Sequence, residues 1–310
     1  MRILEPQDPD GLPSERSRLP FAKYEGLGND FVIVDAADLP GPMSPHRARR
    51  LCNRHRGVGA DGVLVVARRD GAATMRVFNS DGSVPEVCGN GIRCVSLHLY
   101  RRHGFRGEFD IDTDAGPHRC RLLDACDDAA RVEVQMRSAL LRVTWVRPPQ
   151  DPKHTAERPA ERNAPELAPV LDHVFFVGGT SVRLSAISLG NPHVVTFDAP
   201  EHHLASLAPL ISEHARFAHA VNVGFASPPR AGRMKLRVWE RGVGFTQACG
   251  SGACAAAVAA VETGRARRGD ALLVELPGGT LEICVRAPSD RIRMTGPARH
   301  VFDGSLIAPA

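Results

Sequence analysis

The sequence has no run of about 18 apolar residues, the length that a helix needs to cross a bilayer. It also has no long basic stripe: the net charge is +4 and the arginines are scattered singly or in pairs, which argues against a nucleic-acid-binding surface. Residues 1–20 lack an apolar core and carry several acidic side chains, unlike a secretory signal or a transit peptide. We therefore expect a cytoplasmic protein that binds neither membranes nor nucleic acid.

Cys-x-x-Cys pairs, which are typical of thiol redox centres, are missing as well. The chain of 310 residues is long enough to bury a core without cross-links, so we expect mostly free thiols. A free cysteine usually packs as a small apolar side chain. We predict this role for Cys52, Cys120, Cys126 and Cys284, and core packing also for Cys94 and Cys254.

Short β-rich runs separated by turn residues make up most of the chain. They predict strands at 31–35, 62–67, 74–79, 131–136, 182–189, 235–240 and 271–277. Three helices are predicted, at 45–54, 89–103 and 251–264. This pattern favours an α+β fold with a mostly antiparallel sheet. We interpret residues 1–20 as a flexible extension and the proline-rich segment 145–170 as a surface loop.

Several motifs occur twice at a nearly constant spacing. Gly-Asn at 28–29 returns at 190–191, an offset of 162 (190 − 28), and the Cys-Gly motif at Cys88 returns at Cys249, an offset of 161 (249 − 88). A glycine turn at Gly116 returns at Gly278, again with an offset of 162 (278 − 116). This duplication predicts two similar lobes, each a curved sheet around a central helix, with both cysteines facing a shared cleft.

Each of the two cysteines stands immediately before a predicted helix and is followed by glycine. The first N–H groups of a helix have no internal partners and carry a partial positive charge, so they bind a carboxylate and should lower a thiol pKa. Inverting the α-carbon of an amino acid needs a base on one face and an acid on the other, which two facing thiols can supply. The pattern therefore indicates an amino-acid epimerase or racemase that needs no cofactor and no metal.

Other roles for these cysteines stay open at this point. Structural zinc pairs are usually separated by two to four residues. Five residues separate Cys88 from Cys94, which is outside this range, and four separate Cys249 from Cys254, which is at its upper limit. Cys88 and Cys249 could also oxidise to each other at the mouth of a cleft. A thiol-redox or zinc-binding protein is therefore the alternative to an enzyme, as is a binding protein that keeps the fold without the chemistry.

The chain resembles diaminopimelate epimerases. The resemblance is carried by FAKYEGLGNDF (21–31), FNSDGSVPEVCGNGIRC (78–94), GNPHVV (190–195), VNVGF (221–225), WERGVGFTQACGSGACAAAVA (239–259) and TGPARHVFDG (295–304). It implies interconversion of LL- and meso-2,6-diaminopimelate, in lysine and peptidoglycan-precursor synthesis, by a homodimer. It also implies a first lobe of 21–137 plus 298–310, and a second lobe of 138–297.

The same resemblance implies a role for each site residue. Cys88 and Cys249 would be the catalytic acid and base, supported by His193 and Glu240. The substrate-binding residues would be Asn29, Asn79, Gly89, Asn90, Asn191, Asn222, Glu240, Arg241, Gly250 and Ser251. Among them, Arg241 would pair with the distal carboxylate of the substrate.

One departure from the family pattern bears on the substrate. The family often carries glutamine where this chain has Gly62, so that side-chain contact is absent here. A two-cysteine proline or hydroxyproline racemase is the alternative enzyme. Its substrate needs no partner for a distal carboxylate, whereas Arg241 with Asn79, Asn191 and Asn222 favours the longer one.

Overall fold

The computed structural model describes residues 18–69, 72–85, 89–147, 168–199, 203–287 and 290–307. Cys88, the predicted extension up to residue 17 and most of the predicted proline-rich loop (148–167) lie outside these ranges. None of the described helices is long and apolar enough to cross a membrane.

The described residues form sixteen strands and four α-helices, with one short 3-10 helix at Ala36–Asp38. The first half contains β1 (Arg18–Gly26), β2 (Asn29–Asp35), α1 (Pro45–Cys52), β3 (Gly62–Arg69), β4 (Ala72–Asn79), α2 (Gly89–His103), β5 (Glu108–Thr113), β6 (Gly116–Ala125) and β7 (Ala129–Gln135). The second half contains β8 (His173–Val177), β9 (Thr180–Ser188), β10 (Pro192–Thr196), α3 (Leu204–Ser212), β11 (Asn222–Ala226), β12 (Arg233–Glu240), β13 (Gly244–Phe245), α4 (Gly250–Glu262), β14 (Ala271–Leu276), β15 (Gly279–Cys284) and β16 (Arg293–Ile307).

The last strand, β16, joins the two halves. It pairs with β7 over Arg293–Arg299 and with β1 over Arg299–Ile307, so β1 to β7 and β16 close into a ring. Its first residues also pair with β15, which continues the sheet through β14, β12, β11, β10 and β9 to β8. Because residues 18–20 pair with 305–307, β1 includes the last three residues of the predicted extension. The predicted domain boundaries stay a prediction.

The two halves repeat one order of elements. In each, helices connect parallel neighbours: α1 lies between β2 and β3, and α2 between β4 and β5, while α3 lies between β10 and β11, and α4 between β12 and β14. The other ladders are antiparallel, as predicted. The α+β class with two pseudo-symmetric, helix-centred lobes is confirmed.

Helix α2 forms the centre of the first half, and helix α4 forms the centre of the second half. The side chains from Gly89 to Leu99 in α2 and from Gly250 to Ala260 in α4 are all buried, so each helix is surrounded by protein rather than lying on a sheet with one face in water. In α4 the small alanines let the curved strands approach closely. The starts of both helices are buried, and they face each other inside the molecule.

Helix α3 was not predicted. It has no side-chain cap at His203 and carries Pro209 inside it, so the usual start signal is absent and a breaker is present. By contrast, α1 begins with Pro45, and the hydroxyl of Ser44 caps it by accepting from Arg47 N at 3.2 Å. The repeat itself could have located α3, because α3 is the second-half counterpart of α1.

All seven described cysteines are free thiols. Cys52, Cys120 and Cys284 are buried as predicted, and so are Cys94 and Cys254. The prediction is wrong for Cys126, which is exposed because it lies in the turn between β6 and β7.

Candidate active site

The first turns of α2 and α4 meet at two glycines. A Cβ atom built on Gly89 would lie 3.8 Å from Gly250 Cα, and one built on Gly250 would lie 3.7 Å from Gly89 Cα. Met294 of β16 fills the space beside both, with Sδ only 3.1 Å from the Cβ position of Gly250. A side chain at either glycine would crowd Met294 first, so the paired glycines let both helix starts pack closely around it.

Cys249 is the N-cap of α4. Its Sγ accepts a hydrogen bond from Gly252 N at 3.4 Å and lies 3.6 Å from Ser251 Oγ. The thiol is buried, with 6% of the residue exposed. Burial raises the pKa of Cys249, and the charge of Glu240 raises it further, whereas the Ser251 hydroxyl and the Gly252 N–H lower it. The expectation of a lowered pKa is therefore wrong for Cys249, because desolvation outweighs the helix start.

Glu240 ends β12 beside this thiol. Its Oε1 accepts a 2.6 Å hydrogen bond from Thr246 Oγ1. Burial raises the pKa of Glu240, while the hydrogen bonds from Thr246 and Cys249 oppose the shift. Glu240 and Cys249 thus form an acid–thiol pair in which each negative charge disfavours the other.

Asn90, the second residue of α2, connects the two halves. Its Nδ2 donates to Asn29 Oδ1 at 3.2 Å and to Ala248 O at 3.1 Å. Asn29 Nδ2 donates in turn to Asp61 Oδ2 at 2.7 Å. Since Ala248 immediately precedes Cys249, this network ties the start of α2 to the chain that enters α4.

The opposite wall carries Asn191 and Asn222. Asn191 Nδ2 donates to Ser251 Oγ at 3.4 Å. Asn222 Nδ2 donates to Pro192 O at 3.2 Å, and its Oδ1 accepts from Arg241 N at 3.0 Å. Asn222 therefore fixes the backbone where Arg241 leaves β12.

His193 lies behind this wall, outside the set of residues that line the cleft. It is 1% exposed, and its Nε2 is 3.1 Å from Asn191 Oδ1. Burial, together with the charge of Arg241, lowers the pKa of His193 to about 3. His193 is consequently neutral at physiological pH. Its predicted effect on Cys88 stays a prediction, since Cys88 lies outside the described residues.

A cleft of about 1000 Å³ opens above the two helix starts. Its lining includes Cys249 and all ten residues predicted to bind substrate: Asn29, Asn79, Gly89, Asn90, Asn191, Asn222, Glu240, Arg241, Gly250 and Ser251. Residues far apart in the sequence thus converge on one polar cavity.

Sequence reasoning missed three charged residues of the cleft, Arg54, Asp61 and Asp81. Arg54 Nη2 contacts Asp61 Oδ1 at 2.9 Å and Asp30 Oδ1 at 2.7 Å. Asp61 directly precedes Gly62, where the family often carries glutamine, and this position was the available signal. A Cβ on Gly62 itself would lie 2.8 Å from Phe78 O, so β3 and β4 would have to move to accept a glutamine.

Among the described residues, Asp35, His98 and His103 form a group that could hold a metal ion, with ligand atoms within 4.8 Å of one another. They already hydrogen-bond: His103 Nε2 lies 2.8 Å from Asp35 Oδ1, and His98 Nε2 lies 3.3 Å from Asp35 Oδ2. Both histidines belong to the C-terminal half of α2, whereas the cleft lies at its start. That the reaction needs neither metal nor cofactor stays a prediction.

Solved structures of low sequence identity share this fold. A probable proline racemase from Agrobacterium radiobacter K84 has a TM-score of 0.65 at 14% identity, covering 94% of this chain and 93% of that chain. A hydroxyproline epimerase from Agrobacterium vitis, solved with trans-4-hydroxy-L-proline, has a TM-score of 0.65 at 14% identity, covering 96% and 95%. At such identities the likeness establishes the fold alone.

Sequence comparison is more specific. The family described as diaminopimelate epimerase matches residues 21–141 and 185–301. A diaminopimelate epimerase from Synechocystis sp. is 42% identical over 292 residues, spanning 92% of this chain and 98% of the relative. A chloroplastic diaminopimelate epimerase from Oryza sativa subsp. japonica is 40% identical over 307 residues, spanning 95% and 81%. With a match of this extent in both halves, the chain belongs to the diaminopimelate epimerase family.

Proposed function

We propose that this protein interconverts LL- and meso-2,6-diaminopimelate, and so serves lysine and peptidoglycan-precursor synthesis. As a member of its family the protein is an isomerase, an amino-acid epimerase. One observation carries the chemistry: two helices that each follow a cysteine in the sequence begin at the same point of one polar cleft.

The reacting carboxylate binds between the helix starts in this proposal. The N–H groups at Gly89, Asn90, Gly250 and Ser251 are the donors, and they stabilise the negative charge that grows as the α-proton leaves. One cysteine, as thiolate, removes the proton from one face of the α-carbon. The other, as thiol, donates its proton to the opposite face, and the configuration inverts with no net change in protons.

The protonation state of Cys249 before substrate binds suggests its role in the reaction. Burial and the charge of Glu240 both favour the neutral thiol. Cys249 is then the proton donor, and Cys88 is the base in the direction that starts from this state. In the reverse direction the roles exchange, as the pseudo-twofold arrangement of the lobes permits. Neutral His193 supports the site through Asn191.

The far part of the cleft suits the second end of diaminopimelate. In this proposal Arg241 pairs with the distal carboxylate, and the hydrogen bond from its backbone N–H to Asn222 Oδ1 holds it at the cleft wall. Asn79 and Asn191 supply further polar contacts at the cleft wall. A cyclic imino acid would leave this region unused, which favours diaminopimelate over proline as substrate.

We further propose a cytoplasmic homodimer that needs no metal or organic cofactor, with lobes at 21–137 plus 298–310 and at 138–297. These features rest on the family resemblance. Its partner is the small-molecule substrate, and neither nucleic acid nor membrane takes part.

The direct test incubates reduced, metal-free protein with LL-diaminopimelate and follows meso product by chiral chromatography. Wild type is expected to form meso product, and Cys88→Ala and Cys249→Ala are each expected to abolish it. Cys126→Ala is the matched control, because Cys126 is an exposed free thiol outside the cleft. Turnover of proline or hydroxyproline instead of diaminopimelate would refute the substrate, and full activity in either cleft variant would refute the two-thiol mechanism.

A further inference from the structure

Arg93 is a completely buried arginine, with 0% of the residue exposed, one turn into α2. A guanidinium keeps its charge in proteins, so burying it is costly unless its donors are bonded. A side chain in such a place is held there by specific contacts, and these contacts lead directly to the active site.

Each nitrogen of the guanidinium donates to a different residue at the base of the active site. Nη2 donates to Asn90 Oδ1 at 2.9 Å and Nη1 to Gly89 O at 3.3 Å, both in the first turn of α2. Nε donates to Pro297 O of β16 at 3.0 Å. Arg93 therefore clamps the start of α2 to the strand that joins the two halves.

The hydrogen bond from Arg93 fixes the orientation of the side-chain amide of Asn90. An arginine can only donate hydrogen bonds, so the atom of Asn90 that faces it must be the oxygen. The amide nitrogen is thereby turned toward Asn29 Oδ1 and Ala248 O, at 3.2 and 3.1 Å. Without the arginine, the amide could rotate and lose the bond to the residue that precedes Cys249.

We propose that Arg93 is a positioning residue for the epimerase reaction. Acting through Asn90, it holds the first turn of α2 in register with the chain that enters Cys249, so that both helix starts face one carboxylate. The inference rests on the proposed function, and it assigns to a residue outside the cleft lining a task in the geometry of catalysis.

The test is a double-mutant cycle of Arg93→Met and Asn90→Ala in the full chain. Methionine keeps an unbranched side chain of similar length but donates no hydrogen bond. We expect Arg93→Met to lower kcat about 100-fold, the effect of a misplacement near 1 Å, with a smaller change in KM. Because Arg93 acts through Asn90, the double variant should be little worse than Asn90→Ala alone.

Two further variants separate positioning from general stability. Arg93→Lys keeps the charge but presents a point donor instead of a fork, so it should recover only part of kcat; it also serves as the test if Arg93→Met does not fold. Arg119→Met removes an arginine from exposed ion pairs with Asp110 and Glu108 and should leave kcat unchanged.

A measurement that uses no substrate tests the role of Arg93 separately from the proposed function. The rate of Cys249 alkylation by iodoacetamide, followed by mass spectrometry across pH, should change in Arg93→Met, because the chain entering Cys249 loses its support. Failure of wild type to epimerise diaminopimelate would count against the proposed function alone. Wild-type kcat in the folded Arg93 variants, or losses that multiply in the double variant, would overturn the role of Arg93.

Discussion

Replacing Gly250 by alanine tests how closely the two helix starts must approach. The added Cβ would lie 3.1 Å from Met294 Sδ and 3.7 Å from Gly89 Cα, so the methionine has to move by a few tenths of an ångström. Overpacking of this kind costs about 1–3 kcal/mol. The better helix propensity of alanine returns about 1 kcal/mol, which leaves a net loss of about 0–2 kcal/mol.

The same substitution affects both stability and catalysis. That free energy lowers the melting temperature by at most about 8 °C in a protein of this size. A helix start displaced by a few tenths of an ångström should lower kcat about 10-fold, because both sets of N–H donors must reach the same carboxylate and a misplacement of 1 Å costs about 100-fold. Calorimetry and the conversion of LL- to meso-diaminopimelate measure the two quantities on the same preparation.

Met294→Ala provides the matched control. It removes the atoms that the new methyl group meets, so Gly250→Ala/Met294→Ala should be more active than the two single losses multiplied together. Multiplicative losses would mean that the methionine is not the obstacle. Wild-type kcat in Gly250→Ala would refute the reasoning that the helix starts need this separation.

Three further predictions concern charge and capping. The raised pKa of Cys249 predicts that its alkylation by iodoacetamide accelerates only above the ordinary thiol pKa of 9.0. Glu240→Gln removes a negative charge and should shift this pH profile to lower pH. An unshifted profile would contradict the interaction between Glu240 and Cys249. The pKa of Asp35 is held below its ordinary 3.8 by hydrogen bonds from two histidines that outweigh its burial, so its contribution to stability is present above that pH and lost as pH falls through the lower folded value. Asp35→Asn should therefore lower the melting temperature at pH 7 but not in strong acid, and an equal loss at both would argue against this contribution from the ionised carboxylate. Ser44→Ala removes the cap on Arg47 N and should cost about 1 kcal/mol in a denaturant titration, whereas Ser44→Asp should restore most of it.

The fold was predictable where local signals were strong. Glycines after each cysteine, and the alanines of α4, indicated helices that the structure places at 89–103 and 250–262. Helix α3 could not be recognised locally, because Pro209 interrupts it and no side chain caps it. The repeat carried the missing information, since α1 and α3 occupy equivalent places between parallel strands.

The residues of the site could be predicted as a set, but the shifts of their pKa values could not. A helix start favours the thiolate, but burial and a neighbouring negative charge oppose it, and the sequence does not reveal that Cys249 is buried beside Glu240. The burial of His193 is likewise a property of three-dimensional packing. Arg54 and Asp61 enter the cleft through contacts between β2, the α1–β3 loop and each other, which no single motif shows.

The central claim is that one thiol serves each face of the substrate, and one-sided deuterium exchange tests it most directly. In deuterium oxide, each single variant, Cys88→Ala and Cys249→Ala, retains one thiol, which can remove a proton and return a deuteron only on its own face. We predict slow α-deuterium incorporation without inversion, into one of LL- and meso-diaminopimelate with the first variant and into the other with the second. Incorporation into the same isomer by both variants, or continued inversion in either, would contradict the account.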